Sequence, residues 1–495
     1  MKILSRYVLA LVISLWATAS CFAQEGLADK VQEYTLKNGL KVLLVPRHSS
    51  PTVAAWIRFK VGSVDERSDE RGLAHLLEHM LFKGTKTLGT RDYAAEKPLL
   101  DQIEKTAQLL KAEELKKDKA DQKVIADLKA ELDRLEKEAG KYVIKEEFAD
   151  IYSKNGATGY NAFTSKDGTT YIINLPSNKL ELWASIESDR MQNAVLREFY
   201  TEMKVVKEER RRSYDAEPEG KLWETFIADA FNAHPYGQPT IGWMSDIDNL
   251  TRTKAENFLH KYYWPNNAVM ALVGDLDPQQ TMALIERYFG SIPPGTPMPP
   301  VPVEEPVQAG EKRTEVIGDA EPELMIGFHK PTLPAPDDYV FDVIDMLLTN
   351  GRTSRLYRKL VMEKQIATSV NSFNAPGTRY PNLFIIGATP RAPHTVAEVE
   401  KAIEQELDRL KTQPMTKDEL QQILNQLEYQ ESSQMQSNGG MARELTEYEA
   451  VAGTWRYLIE HRHKVAKVTP EDVMRVAKQY FTRDNRNVGF ITTKQ

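Results

Sequence analysis

Residues 71–85 read RGLAHLLEHMLFKGT, and the spacing of their apolar residues predicts a helix from about residue 72 to residue 82. Residues four positions apart lie on one face of a helix, so His75 and His79 could bind one Zn²⁺ ion through their imidazoles. Glu78 lies near that face, where its carboxylate could take a proton from a zinc-bound water that then attacks a carbonyl carbon. Only nine of the 495 residues are histidine, which argues against a chance occurrence of this H-x-x-E-H spacing.

A catalytic zinc site usually has three protein ligands, so a third is expected downstream. Residues 200–215 read YTEMKVVKEERRRSYD and predict a helix on which Glu202 and Glu209 are two turns apart. Carboxylates on the inward face of a helix need a cation or another partner. We predict Glu209 as the third ligand and Glu202 as the carboxylate that orients an imidazole, although helical geometry alone leaves Glu208 as an alternative to Glu209.

The chain contains an internal repeat. Residues 251–273 and 469–491 align without gaps, and each predicts an N-capped helix, a turn and an apolar strand. Seven prolines within residues 293–306 predict a linker. We therefore predict a first half over residues 30–292, a linker over 293–310 and a homologous second half over 311–495. The second-half counterpart of the metal helix, residues 338–348, contains no histidine, so the metal site is expected in the first half only.

An insertion interrupts the first half at residues 99–139, which are rich in Lys, Glu, Ala and Leu. Apolar residues from Ile125 to Ala139 recur at spacings of three and four, which predicts two paired helices broken at residues 117–119. This inserted helical hairpin could pack on the body of the protein, or it could extend as an arm that binds a partner.

The first 23 residues have the pattern of a signal peptide, with a charged start, a short apolar core and small residues before a cleavage site after Ala23. A membrane anchor and lipid attachment at Cys21 are the alternatives. Removal of a signal peptide would leave a periplasmic or secreted protein with no membrane span. The chain has 64 Lys and Arg against 71 Asp and Glu, so it lacks the basic surplus that general nucleic-acid binding requires.

Four stretches in order resemble the pitrilysin/insulinase (M16) family of zinc metallopeptidases, in its bacterial processing-peptidase-like branch: RGLAHLLEHMLFKGT, NGATGYNAFTSKDGTTY, EMKVVKEERR and KYYWPNNAVMALVGDLD. The resemblance extends from about residue 33 to residue 490, favours Glu209 over Glu208, and implies one Zn²⁺ per chain. It implies an α+β fold of two homologous α/β halves. Each half would comprise two similar subdomains with an antiparallel sheet plus helices, and the halves would close like a clamshell around a chamber.

The resemblance also implies a function: an endopeptidase that hydrolyses peptides or unfolded polypeptide segments. The strand around Asn161 and Ala162 resembles the family's edge strand, which pairs with an extended peptide, and Asn161 is the candidate for a side-chain contact. Family members often work in pairs, which implies a homodimer or a heterodimer with an inactive homologous subunit. Two alternatives are a non-catalytic binding subunit on the same fold and a zinc hydrolase that acts on another amide.

Overall fold

The structure is a computed structural model that describes residues 26–493, so the predicted signal peptide and Cys21 lie outside the described residues. It contains two β-sheets, one in each half of the chain, and helices flank both sheets. The first sheet comprises β1 (Gln32–Thr35), β2 (Lys41–Pro46), β3 (Thr52–Phe59), β4 (Thr158–Thr164), β5 (Thr169–Pro176) and β6 (Ala268–Gly274). The second comprises β7 (Lys312–Gly318), β8 (Leu324–Lys330), β9 (Ala367–Ala375), β10 (Asn382–Pro390) and β11 (Arg486–Thr493).

Helices account for most of the remaining chain. Those of the first half are α1 (Leu73–Met80), α2 (Tyr93–Glu114), α3 (Gln122–Ala139), α4 (Glu147–Lys154), α5 (Leu180–Asn193), α6 (Phe199–Arg210), α7 (Pro218–Ala230), α8 (Met244–Ile247), α9 (Arg252–Tyr262) and α10 (Pro278–Phe289). Those of the second half are α11 (Asp338–Leu348), α12 (Val396–Thr412), α13 (Lys417–Gln434), α14 (Asn438–Val451), α15 (Tyr457–Val465) and α16 (Pro470–Tyr480). Within residues 26–493, no helix combines the length and the apolar composition needed to cross a bilayer.

The two sheets repeat one topology, with strand orders β1-β2-β6-β3-β5-β4 and β7-β11-β8-β10-β9. Apart from the additional β1, the orders match strand for strand. Each sheet has one parallel pair, β2 with β6 and β7 with β11, among otherwise antiparallel neighbours. The repeated segments predicted from the sequence become α9 followed by β6 and α16 followed by β11, each helix capped by a threonine hydroxyl.

These findings confirm the predicted α+β fold of two homologous halves. The resemblance implied two subdomains within each half, but the described residues form one sheet per half. The repeating unit is therefore half of this chain, and the two halves correspond to two subdomains rather than four. The sheets are also mixed rather than purely antiparallel, because the strand that closes each half returns alongside the first long strand of that half.

The two halves exchange a helix. α7, which belongs to the first half in sequence, packs on β7 and β11 of the second sheet, whereas α14 of the second half packs on β3 and β6 of the first sheet. Apolar side chains from both halves share each of these cores; Leu445 and Trp455, for example, are buried together with Val269. The halves are therefore interlocked by packing, and neither sheet is fully covered by helices from its own half.

The inserted segment forms a helical hairpin of α2 and α3 with a turn at Lys117–Lys119. The base of the hairpin is buried on the body, where the Glu104 carboxylate accepts hydrogen bonds from the Tyr200 hydroxyl at 2.7 Å and from Thr253. Ile125, near the tip, is only half-buried. The predicted linker contains neither helix nor strand, and its Glu305 accepts hydrogen bonds from the backbone amides of residues 232–234.

Candidate metal centre

α1 is held at its first turn by contacts that leave little freedom. Gly72, just before the helix, has φ 88°, and a Cβ there would lie 2.6 Å from the carbonyl oxygen of Ile241. The buried Glu66 carboxylate accepts hydrogen bonds from the amides of Gly72 at 2.9 Å and Ala74 at 2.7 Å. These amides would otherwise lack partners at a helix N-terminus. The apolar face of α1 is buried through Leu73, Leu76, Leu77 and Met80.

The opposite face of α1 meets α6, and there the structure brings together His75, His79 and Glu209. His75 Nε2 lies 3.5 Å from Glu209 Oε1, and His79 Nε2 lies 3.5 Å from Glu209 Oε2. Ligand atoms on a tetrahedral zinc ion with bonds of about 2.0–2.1 Å are separated by about 3.3 Å. The two imidazoles approach different oxygens of the Glu209 carboxylate, and one ligand atom from each of the three residues lies within 4.8 Å of the other two, a grouping that could hold one metal ion. Within residues 26–493, no other group of three potential ligands converges in this way.

Glu202 contacts the candidate ligand His79 and is not itself one of the three candidate ligands. Its Oε1 is 2.9 Å from His79 Nδ1, and its Oε2 is 2.6 Å from the Lys83 ammonium. The hydrogen bond with His79, together with Lys83, lowers the pKa of Glu202 to about 2 against the effect of burial. An ionised carboxylate on Nδ1 fixes the ring orientation and leaves Nε2 to face the metal position. This is the role that the sequence predicts for Glu202.

The two imidazoles differ in their electrostatic surroundings. Burial, aided by the neighbouring His79, lowers the pKa of His75 to about 3, so its ring is neutral at physiological pH. Its Nδ1 is buried without a hydrogen-bond partner among the described residues. Burial also acts to lower the pKa of His79, but the hydrogen bond and charge of Glu202 outweigh burial and raise it. Neutral imidazoles are the form that binds a metal, and a bound cation would favour that form in both rings.

Glu78 lies beside these ligands without joining them. Burial raises the pKa of its carboxyl group, an effect that the contact with Thr164 partly opposes. A carboxylate with a raised pKa is a stronger base than an ordinary carboxylate, as a proton acceptor requires. Glu78 lines the cavity together with His79, and its role as a general base stays a prediction.

Glu208 and Glu209 are adjacent on α6 but have different partners in the structure. Glu208 is exposed, and its carboxylate accepts hydrogen bonds from Arg211 Nε at 3.0 Å and Nη2 at 2.9 Å. Glu209 is rotated by one helical position and faces both imidazoles. The geometry therefore supports Glu209 as the third ligand and gives Glu208 a surface ion pair.

A cavity of about 560 Å³ is lined in part by Glu78, His79 and Glu202. Its walls come from α1, from α6, from β4 and from the segment 143–149 that follows the hairpin. Among residues 26–493, β4 pairs with β5 alone and forms an edge of the sheet, so one side of its backbone could pair with another strand. Asn161 is exposed and lines the cavity, whereas the Ala162 side chain is buried in the core and leaves only its backbone available.

Some residues at the site were not identified from the sequence. Lys83 is one helical turn after His79, and this spacing could have indicated that it reaches the same carboxylate. Residues 143–149 and Tyr160 carry no local pattern that marks them as cavity residues. Two histidines of the second half have polar partners other than a metal ligand set. His461 Nε2 lies 2.9 Å from Asp342 Oδ2, and His329 Nε2 lies 3.1 Å from the carbonyl oxygen of Ala230.

Two family models match the chain in sequence order. The model described as "Insulinase (Peptidase family M16)" matches residues 41–100 and 132–243, which contain every candidate metal-site residue. The model described as "Peptidase M16 inactive domain" matches residues 249–427. Residues 101–131, which form the outer part of the hairpin, lie between the matched parts of the first model.

Similar proteins and structures agree with these matches. Zinc protease PqqE of Helicobacter pylori is 28% identical over 491 residues, covering 98% of this chain and 97% of that protein. The crystal structure of a protease from Helicobacter pylori aligns with a TM-score of 0.77 at 27% identity, covering 94% of this chain and 99% of that one. The periplasmic protease PqqL from Escherichia coli aligns with a TM-score of 0.69 at 16% identity, covering 94% of this chain but 47% of PqqL. With both family models matched and the same fold throughout, the chain belongs to the M16 family of peptidases.

Proposed function

We propose that this protein is a zinc-dependent endopeptidase that hydrolyses peptides or unfolded polypeptide segments. The observation that carries the proposal is the convergence of His75, His79 and Glu209, together with a cavity that Glu78 and His79 line and an edge strand borders. The naming of similar proteins as zinc proteases supports the same metal. His75, His79 and Glu209 would hold one Zn²⁺ per chain.

The chain's own residues account for the proton transfers of peptide hydrolysis. A zinc ion in this position would supply an activated water and polarise the scissile carbonyl group. Glu78 would accept the proton of the attacking water and deliver it to the departing amine. Glu202, fixed by Lys83, would hold the His79 ring in its binding orientation throughout.

The substrate would bind as an additional strand on β4. An extended peptide paired with the free side of this strand gains main-chain hydrogen bonds, which bring affinity without strong sequence preference. In this arrangement Ala162 contributes its backbone, and Asn161 contributes a side-chain contact from the cavity wall. Folded proteins would be poor substrates because their strands are already paired.

A second chain would complete the enclosure around the substrate. The match to just under half of PqqL supports this proposal, because that protein has room for two such folds in one chain. We propose a homodimer, or a heterodimer with an inactive homologous subunit. We also propose export to the periplasm or beyond, which the pattern of residues 1–23 supports.

The test is cleavage of a quenched fluorescent peptide library by the protein lacking residues 1–23. We expect cleavage that stops with a chelator, returns with Zn²⁺ and falls by about 10²–10⁴-fold in Glu78→Gln. The matched control is Glu208→Gln, which removes an exposed carboxylate and should cleave normally. Stoichiometric zinc without cleavage would favour a non-catalytic binding subunit, and cleavage of small amides in preference to peptides would favour the other hydrolase.

A further inference from the structure

Arg210, the residue after the candidate ligand Glu209, is part of a buried ion pair that the proposed chemistry does not use. Its guanidinium Nη1 lies 2.7 Å from Glu224 Oε1, and its Nη2 lies 3.0 Å from Glu224 Oε2. The side chains are 3% and 0% exposed, respectively. The contact from Nη2 to Oε2 is a charge-assisted hydrogen bond, which is stronger than one between neutral groups.

This ion pair joins three structural elements that meet behind the metal centre. Arg210 is the last residue of α6, which continues as a π-helical segment at Arg211–Asp215. Glu224 lies on α7, the helix that packs on the second sheet. The same guanidinium donates a hydrogen bond from Nη1 to the carbonyl oxygen of Gly242 at 2.7 Å.

Gly242 leads directly to the helix that carries the two imidazoles. A Cβ on Gly242 would lie 2.8 Å from the carbonyl oxygen of Arg71 and 3.0 Å from the Cα of Gly72, so the two backbones are in close contact. Gly72 is the residue from which α1 begins. Arg210 therefore connects the end of the helix bearing Glu209 to the start of the helix bearing His75 and His79.

Glu209 needs support of this kind more than the imidazoles do. His79 is oriented by the Glu202 carboxylate, and Glu202 by Lys83. Within residues 26–493, the Glu209 carboxylate makes ion-pair contacts only with the two imidazoles themselves, and its side chain is 41% exposed. Its position must then come from the backbone of α6, and Arg210 is where that backbone is fixed.

We propose that Arg210 and Glu224 are positioning residues that hold Glu209 at metal-binding distance from His75 and His79. Because Glu224 lies on the helix that packs on the second sheet, the pair also joins α6 to that helix. The inference rests on the proposed zinc site and adds a pair of residues that contact neither the metal position nor the cavity.

The test compares zinc affinity, measured by competition with a chelator, and the visible spectrum of the Co²⁺-substituted protein, which reports coordination geometry. The main variant is Arg210→Met/Glu224→Met, because replacing both partners of a buried ion pair by apolar residues often preserves folding. Arg210→Lys keeps the charge but loses the planar guanidinium that donates to both Glu224 and the carbonyl oxygen of Gly242. Controls are Glu208→Gln, which breaks an exposed ion pair on the same helix, and Glu406→Gln, which breaks a buried ion pair with Lys359 in the second half.

We expect the double variant to bind zinc about 10–100-fold more weakly, with an altered Co²⁺ spectrum, the usual effect of losing a group that orients a ligand. Arg210→Lys should fall between the double variant and the unaltered protein, and both controls should bind zinc within about twofold of it. A folded double variant with unchanged affinity and spectrum would overturn the proposal. If the double variant does not fold, unchanged affinity in Arg210→Lys would overturn it instead. Failure of the unaltered protein to bind zinc would refute the proposed function itself.

Discussion

α1 and α11 occupy corresponding places in the two halves. In sequence, α1 lies between the central strand β3 and the edge strand β4, and α11 lies between the central strand β8 and the edge strand β9. Each turns one acidic side chain towards that edge strand. Glu78 of α1 contacts Thr164 of β4, and Asp345 of α11 accepts a hydrogen bond from Ser372 of β9. Burial raises the pKa of both carboxyl groups, to about 6 for Asp345. The repeated topology thus reproduces the same electrostatic position in both halves.

The chemistry around these two carboxyl groups is different. Aligning Glu78 with Asp345 places Asp342 where the first half has His75, and Met346 where it has His79. Asp342 lies 2.9 Å from Nε2 of His461 on α15, so the partner of this carboxylate is a histidine side chain. The fold therefore provides a protected acidic position twice, whereas the candidate metal site depends on a few side chains placed on it.

The largest effect is expected from Glu209→Gln. Removal of the one carboxylate ligand should abolish measurable zinc binding at micromolar zinc and reduce cleavage to the level seen with a chelator, because a three-ligand set loses its only charged member. Zinc content by mass spectrometry and peptide cleavage are the measurements. Glu208→Gln is the matched control, one residue away and exposed. Equal loss in both variants would show that helix charge, rather than a ligand, is responsible.

Much of the metal centre follows from the sequence because its spacing is local. His75, Glu78 and His79 lie within a single helical turn and a half, and Glu202 and Glu209 share a face of one helix. The choice between Glu208 and Glu209 needed a resemblance or a structure, since it depends on how α6 is rotated against α1. Side-chain spacing within one helix cannot supply that rotation.

Long-range packing accounts for what could not be predicted. The exchange of α7 and α14 between the halves involves ordinary amphipathic helices, and no residue in either marks the sheet on which it packs. The cavity wall at residues 143–149 shares one cavity with residues of α1 and α6 that are distant from it in sequence. The family resemblance implied two subdomains in each half, whereas the strand pairing in the structure gives one sheet per half.

A second test concerns the orienting carboxylate. Glu202→Gln should weaken zinc binding and reduce kcat/KM by about 10–100-fold, because the uncharged amide holds the His79 ring less firmly and no longer opposes Lys83. Chelator competition and steady-state kinetics measure the two effects. The control is Glu198→Gln, which removes a more distant partner of Lys83, 3.9 Å away. An unchanged zinc affinity in Glu202→Gln would refute the orienting role.

The third test removes the acidic group from the second half. A carboxyl group whose pKa is raised by folding opposes folding at pH values above that pKa, because ionisation is easier in the unfolded chain. Asp345, at a pKa of about 6, should therefore cost stability at pH 7. Asp345→Asn should raise the free energy of unfolding at pH 7 by about 2 kcal/mol while leaving cleavage unchanged. Urea unfolding at pH 4 and pH 7 measures it, and the gain should disappear at pH 4.

The smallest effect is expected at His461, and it has the opposite dependence on pH. Burial acts to lower the pKa of His461, but the hydrogen bond with Asp342 and the charges of Asp342, Glu431 and Asp338 outweigh burial and raise it. A histidine with a raised pKa contributes stability that is complete below its unfolded value of about 6.5 and is lost as pH rises through the folded value.

His461→Gln should therefore lower the unfolding temperature by a few degrees at pH 6 and by less at pH 9. His463→Gln is the matched control, since it changes an exposed histidine two residues away on the same helix. An equal loss at both pH values would mean that His461 contributes packing rather than charge. The negative charge of Asp342 would then not be compensated by a protonated His461. A loss confined to low pH would instead support the comparison with the first half. In that case a protonated His461 would balance the acidic position of the second half, where the first half can use a metal ion.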